Sequence, residues 1–271
     1  MSDEQGARLR SDTARFYAIV KSLREFDDAK VYPIVTTLIS VAGDDAFVQG
    51  LYWRIRGNTN SALALSDSIH FQATAGIARS LFELSLDISL IDKKVVPNAE
   101  KAILLFEDAE KLRVARRSVG FKQRNPGASI NITEYQRFIT KNAARIDAEH
   151  LALWGPCKNK KPKTLTHWSN LDLPSRISKV GDPFREWHLE FYSQFSWYSH
   201  TGFTGFRNLA AETFIAVQAL AFVLSALCYK ESLMCLIRRF QIDKADEEAL
   251  EHLEIAHVLP FATEQQARNL R

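Results

Sequence analysis

The chain has 271 residues, of which 46% are hydrophobic and 25% are charged, values typical of a globular protein with one large helical domain or two smaller ones. Thirty-five Lys and Arg against 32 Asp and Glu leave a formal net charge of +3. This balance excludes a strongly basic protein whose overall charge would indicate nucleic acid or anionic lipid as a partner, so only local clusters can do so.

The cysteines and the first residues predict a location. Cys157, Cys228 and Cys235 form neither a Cys-x-x-Cys pair nor an even disulfide framework. The N-terminal residues are polar and of mixed charge, without the apolar core of a signal peptide. We therefore expect reduced thiols and a cytoplasmic protein. The apolar run Thr213–Tyr229 has about the minimum length of a membrane span, but a buried core helix explains it as well, and no membrane partner is predicted.

Helical spacing of apolar residues and the lack of alternating stretches predict an all-α fold, a multi-helix bundle with one main domain. The predicted organisation is an N-terminal helical region over residues 1–56, a bundle core over 57–240 and an amphipathic tail over 241–271. The first predicted helices are Ser11–Phe26 and Lys30–Val41, followed by a turn or two of helix over Ala46–Arg56 that ends at Gly57.

The stretch Ser61–Asp92 is predicted to be the long central helix around which the others pack. It carries two apolar sets on opposite faces, as a helix sandwiched between neighbours does. The first set is Leu65, Ile69, Ala73, Ile77, Leu81, Leu84, Ile88 and Ile91, and the second is Ala75, Ala78, Phe82, Leu86 and Leu90. Within the second face, Arg79 and Glu83 lie four residues apart and can form an ion pair.

The second half of the chain contains more predicted helices and one loop. The predicted helices are Pro97–Gly120, Asn131–Leu153, Leu173–Val180, Phe184–His200 and Phe206–Phe240. Residues 156–170 are polar and basic without an apolar period, which indicates a loop.

The helix from Phe184 carries three polar residues, Tyr192, Ser196 and His200, spaced four apart on one face. Together with Arg79 and Glu83 they are the candidate catalytic residues, because five polar groups converging in an apolar bundle are costly for packing alone. The structural alternatives stay open: Arg79 and Glu83 as a buried ion pair, and His200 as a capping or core histidine.

The spacing Arg79-x-x-x-Glu83, followed by Trp168 and then by Tyr192-x-x-x-Ser196-x-x-x-His200, resembles a bacterial all-helical family catalogued only as a domain of unknown function. The resemblance covers roughly residues 58–230. It implies a bundle in which these polar residues face one another, and it implies no established activity. A distant relation to the HEPN class of nucleotide-binding and ribonuclease bundles is the accompanying hypothesis.

HEPN ribonucleases resemble one another in an Arg-x(4–6)-His motif that flanks an RNA phosphate. This chain has Arg145-x4-His150, with Ile146 in place of the polar residue that usually follows the Arg. His200 has no Arg at the proper distance before it, so HEPN catalysis does not transfer directly.

Two basic clusters are candidates for holding a phosphate backbone. The first is a run without an acidic residue between its ends, from which Arg113, Arg116 and Arg117 are the candidate nucleic-acid-binding residues. The second consists of Lys158, Lys160, Lys161 and Lys163. The alternative is that both are solvated charged faces. No metal-ligand motif or glycine-rich phosphate loop is present, so neither a metal nor a cofactor is predicted.

Two function classes remain open. The first is a helical module that binds RNA or a nucleotide, as a ribonuclease-like hydrolase or a toxin-like component of bacterial defence; basic surface beside the candidate site would favour it. The second is a non-enzymatic scaffold that self-associates as a homo-oligomer through its apolar C-terminal helix. A flat apolar surface formed by Phe214, Val217, Ala221 and Leu224 would favour this second class.

Overall fold

The structure, a computed structural model, describes residues 3–38, 42–156, 164–195 and 211–251. In these ranges every regular element is helical and no strand is present, which confirms the all-α prediction. The chain separates into two compact units: unit 1 comprises Met1–Val95 and Ile177–Arg271, and unit 2 comprises Val96–Arg176. The predicted ranges 1–56, 57–240 and 241–271 remain a prediction about domain organisation.

In chain order, the regular elements of the described ranges are α1 (Asp3–Phe26), a π-helical turn (Asp27–Val31), α2 (Tyr32–Thr37), α3 (Asp44–Ala64), a 3-10 turn (Ser68–His70), α4 (Phe71–Asp92), α5 (Ala99–Arg124), α6 (Thr133–Trp154), α7 (Leu173–Val180), α8 (Phe184–Trp187), a second π-helical turn (His188–Tyr192), α9 (Ala211–Arg239) and α10 (Lys244–Glu251).

The core of unit 1 is built on α4 and α9, which pack against each other, while α1 packs on α9 and α3 packs on α4. Helix α9 is long and apolar enough to cross a membrane by length and composition, yet 83% of its apolar window is buried inside the protein. Val217, Ala221 and Leu224 are buried, and the Phe214 ring stacks on Phe71 at 4.5 Å between centroids. The apolar run is therefore a core helix, as one of the two sequence interpretations held.

The prediction of one helix over Ser61–Asp92 is wrong in its first third. Helix α3 ends at Ala64, and α4 begins only at Phe71. A side chain from the far end of the sequence occupies the break: Gln218 donates to the carbonyls of Leu65 and Asp67 at 3.0 and 2.9 Å. Backbone carbonyls that bond a distant amide no longer need to continue the helix.

This break changes which residues of the two predicted apolar sets are buried. Ile69 is 69% exposed and Ala73 is exposed, whereas the first set is buried from Leu81 onward and the second set is buried throughout. Burial on two faces therefore holds for α4. The helix boundary predicted at Gly57 is also wrong, because α3 continues through it; an exposed glycine costs a helix only about 1 kcal/mol relative to alanine.

Unit 2 is a helical hairpin of α5 and α6 followed by a segment that leads into α7. Its core is Leu105, Leu112 and Ile146, with partly buried residues packed around them. Two ion pairs join the helices: Arg116 to Asp147 at 2.6 Å and Arg145 to Asp108 at 2.8 Å. The hairpin thus buries a narrow apolar seam and leaves most of its charged residues on the surface.

Candidate functional site

Three of the five predicted catalytic residues meet in unit 1. The Tyr192 hydroxyl donates to Glu83 Oε1 at 2.6 Å, and the Arg79 guanidinium lies 4.9 Å from the centre of the Tyr192 ring. Arg79 Nε is 3.9 Å from Glu83 Oε1, one turn along α4. These three residues form what we call the Arg79 cluster. The expectation that the polar residues of the two helices face one another is met at Tyr192.

Tyr192 reaches α4 from the π-helical turn His188–Tyr192. π-helical turns inside α-helices often occur at functional sites, because the wider turn re-aims a side chain. The Tyr192 ring also contacts the rings of Phe82 and His188, at 4.9 and 5.4 Å between centroids. Apolar packing thus fixes the ring while its hydroxyl points to the carboxylate.

The electrostatics of the Arg79 cluster constrain its chemistry. Burial and the hydrogen bond to Glu83 raise the pKa of Tyr192, so this phenol stays protonated and acts as a donor. Burial lowers the pKa of His188. A neutral imidazole, a protonated phenol, a carboxylate and a guanidinium are the groups that this site offers. Among them, Glu83 can accept a proton and Arg79 can hold an anion.

The expectation of a buried ion pair is wrong. The side chain of Arg79 is 24% exposed and that of Glu83 is 42% exposed, so solvent screens their interaction. The physical reason is that Tyr192, which contacts both residues, leaves part of each side chain open to solvent. An open carboxylate beside an arginine is accessible to a ligand, which a buried pair is not.

Ser196 and His200, the other two predicted catalytic residues, lie outside the residues that the structure describes. The same holds for Lys158, Lys160, Lys161 and Lys163 of the second basic cluster. Their assignments stay predictions.

A second polar cluster in unit 1 was missed by the sequence analysis. We call it the Asp27 cluster; it consists of Arg24, Asp27, Asp28, Tyr52, Arg56 and Tyr229. Asp27 is fully buried and accepts hydrogen bonds from Tyr52 at 2.7 Å, from Tyr229 at 2.5 Å and from Arg56. Four parts of the chain therefore converge on one carboxylate: α1, the first π-helical turn, α3 and α9.

The neighbouring carboxylate of this cluster lies at the surface. Asp28 is 51% exposed and pairs with Arg24 and Arg56, both at 2.5 Å. The hydrogen bond from Arg24, more than that from Arg56, lowers the pKa of Asp28. Burial, followed by the Asp27 charge, raises the pKa values of Tyr52 and Tyr229, so both phenols remain donors. Both carboxylates and both phenols of the cluster have hydrogen-bond partners, and Arg24 Nη1 makes ion pairs with Asp27 and Asp28. A buried network with its carboxylates paired in this way is the pattern of a structural network.

Little in the sequence could have revealed the Asp27 cluster. Two adjacent aspartates in a helix ordinarily indicate a solvated face. Tyr52 and Arg56 are four residues apart, a spacing that permits a contact but is common. The better signal is Tyr229, a phenol within an apolar run, because a buried hydroxyl needs a partner.

The first basic cluster lies on α5 of unit 2, and part of its charge is compensated. Arg113 forms a two-point ion pair with Glu110, and Arg116 pairs with Asp147. Arg117 and Arg124 are exposed, and no carboxylate in the described ranges pairs with either. Of the three predicted nucleic-acid-binding residues on α5, Arg117 is therefore the one most available to an external anion.

No protein-family model, characterised protein or solved structure matches this chain. The resemblance to a bacterial family of unknown function and to HEPN bundles therefore depends on the motif residues alone.

The HEPN-like pair Arg145 and His150 does not form one site. Arg145 is half-exposed and pairs with Asp108 and Glu149 at the edge of a depression of about 490 Å³. His150 is buried against the Trp154 ring and lines a different depression, of about 220 Å³, on the side of Arg113, Arg116 and Arg117. Five residues along a helix place two side chains on different faces.

The described residues contain neither a candidate metal site nor a reactive thiol. No group of three or more His, Cys, Asp and Glu side chains that could hold a metal ion occurs there. Cys228 and Cys235 are buried free thiols. Burial raises the pKa of Cys228 well above its usual value and that of Cys235 to about 12, so neither is a thiolate at neutral pH.

Proposed function

We propose that this protein binds nucleic acid through the basic surface of unit 2. The observation that supports the proposal is a separation of charge that the overall composition conceals. Unit 2 contains 15 Lys and Arg against 8 Asp and Glu, a net charge of +7, whereas unit 1 contains 20 against 24, a net charge of −4. A localised positive charge of this size attracts a polyanion although the whole chain is nearly neutral.

One concentration of this excess is the second half of α5, and another is the four lysines of residues 158–163. From Lys111 to Arg124 the helix has six cationic residues and no acidic one. Favourable interaction with the negative end of the helix dipole explains Lys122 and Arg124, which lie in the last turn. It does not explain Arg117, two turns earlier, because the dipole effect fades within the last turn. An external anion is the simplest partner for Arg117.

The scaffold alternative loses the surface on which it was based. Self-association through the C-terminal helix needs an exposed apolar face, but α9 presents Val217, Ala221 and Leu224 to the interior of unit 1. A homo-oligomer would therefore need a different surface.

Salt-dependent binding tests the proposed function. We expect wild-type protein to bind a fluorescein-labelled RNA with an affinity that falls linearly with salt on a logarithmic scale, since Lys and Arg release counterions from the phosphates. Arg117→Ala should lower the affinity and reduce the magnitude of the slope by about 0.7 for a single strand. The matched control is Arg54→Ala, which removes one exposed arginine from unit 1. Equal loss in both variants, or no binding by wild type, would contradict the proposal.

The predicted catalytic residues suggest a second candidate function, a ribonuclease-like hydrolase. The contact that favours it is the hydrogen bond between Tyr192 and the half-exposed Glu83, beside Arg79. In this hypothesis Glu83 accepts a proton, Arg79 holds a phosphate, and His200 is the acid–base partner. Glu83→Gln and His200→Gln should melt like wild type and lose cleavage of a labelled RNA. Cleavage at the wild-type rate by both variants would exclude this site.

A further inference from the structure

We propose that the nucleic acid recognised by unit 2 is single-stranded, and that one of its bases stacks on the exposed ring of Phe121 between Arg117 and Arg124. The inference rests on the proposed function and specifies its ligand. Phe121 is 44% exposed, and none of the described residues makes a ring contact with it. Arg117 and Arg124 are also exposed.

The three side chains share one face of α5. Val114, Arg117, Phe121 and Arg124 follow one another at intervals of three, four and three residues, the spacing of a single helical stripe. With a rise of about 1.5 Å per residue, Arg117 lies about 6 Å and Arg124 about 4.5 Å along the axis from Phe121. Two arginine positions therefore flank one aromatic position as helical neighbours, three and four residues away.

The Arg124 side chain runs back along the helix by one turn, to Gly120. Its Nη1 atom lies 3.4 Å from the position that a Cβ would take at Gly120, the residue next to Phe121. Because Gly120 has no side chain, it leaves room for the guanidinium beside the turn that bears the ring. The cation thus lies in the same turn of the helix as the point where the Phe121 side chain begins.

This combination fits a single strand better than a duplex. Single strands are bound by basic surfaces that hold the phosphates and by aromatic rings on which unpaired bases stack. In a duplex the faces of the bases are covered by their neighbours, and only phosphates and groove edges remain accessible. A phenyl ring does not bind phosphate, but an unpaired base can stack on it. The exposed phenylalanine between two arginines therefore favours a ligand with unpaired bases.

The test compares two variants from the same stripe. Phe121→Ala should weaken binding of a labelled single-stranded RNA of about ten nucleotides by roughly 5- to 150-fold, the effect of losing one stacked base. Phe121→Trp should retain or improve binding. Val114→Ala is the matched control, because Val114 is 47% exposed on the same face but is not aromatic. It should change the affinity less than about twofold.

Salt slopes and a duplex probe separate this inference from the proposed function. Phe121→Ala should leave the salt slope unchanged, since a phenyl ring displaces no counterion, whereas Arg117→Ala should reduce it. A duplex of the same sequence should bind Phe121→Ala and wild type equally. If Phe121→Ala binds the single strand like wild type while Arg117→Ala is weakened, the stacking inference is overturned and nucleic-acid binding stands. If no RNA binds wild type, both fail.

Discussion

The Asp27 cluster and the Arg79 cluster are made of the same kinds of residue, yet the protein places them in opposite environments. Each combines carboxylate, arginine and tyrosine, and each draws on a π-helical turn: Asp27 and Asp28 come from the first and Tyr192 from the second. Asp27 is fully buried, whereas the Glu83 side chain is 42% exposed. Residue type and local backbone therefore do not distinguish a structural network from an accessible site.

The difference in solvent exposure determines what each cluster can contribute. Removing a carboxylate from a buried network leaves other polar groups without partners and without water, which is costly. Removing one from a half-exposed pair lets water replace it. Changes in the Asp27 cluster should therefore lower the free energy of unfolding more than changes in the Arg79 cluster.

The largest expected effect comes from Asp27→Ala. This change removes the acceptor of Tyr52, Tyr229 and Arg56 in the interior, and we expect the free energy of unfolding to fall by about 3–5 kcal/mol. Chemical denaturation monitored by circular dichroism measures it. Asp28→Ala is the control: Asp28 is half-exposed, so the loss should be about 1 kcal/mol or less. Equal losses would show that burial does not separate the two aspartates.

A smaller effect is expected from Glu83→Ala. The ion pair with Arg79 is partly exposed at 3.9 Å, and water can take over the hydrogen bond to Tyr192. We expect the free energy of unfolding to fall by about 1 kcal/mol, well below the loss expected when a buried ion pair is broken. The same denaturation experiment applies. A loss above about 3 kcal/mol would show that Arg79 behaves as a buried charge and would remove the contrast between the clusters.

The smallest effect concerns pH. Burial against Phe82 and Tyr192 lowers the pKa of His188 below its ordinary value of 6.5. Between the folded and the unfolded pKa, the histidine binds a proton in the unfolded chain but not in the folded chain. The free energy of unfolding is therefore highest above pH 6.5 and falls as the pH falls toward the folded pKa. The melting temperature should therefore decrease from about pH 7.5 to about pH 5.5.

His188→Gln removes this titrating group and should flatten part of the decrease. The control is His70→Gln, which changes an exposed histidine next to the start of α4. It should leave the pH dependence as in wild type. If the two variants show the same pH profile, burial of His188 does not contribute to the acid sensitivity of the fold.

The sequence by itself determined the elements whose cause is local. The 3.6-residue period predicted helices that the structure contains, including the two-sided burial of α4 from Leu81 onward and the buried α9. Spacing of four residues also predicted the proximity of Arg79 and Glu83. Residues three or four apart on a helix are neighbours in any tertiary arrangement, so a sequence pattern is sufficient.

Only the tertiary structure decided the features that join distant parts of the chain. Tyr229 meets Asp27 across 202 residues, and Gln218 bonds the broken helix end at Leu65 across 153 residues. Likewise, Arg116 of the basic run on α5 forms an ion pair with Asp147 of α6, a contact that the sequence does not predict. These contacts depend on which helices pack together and on how far water is excluded between them. Burial, which sets the energy of a charge, is a property of the packed chain.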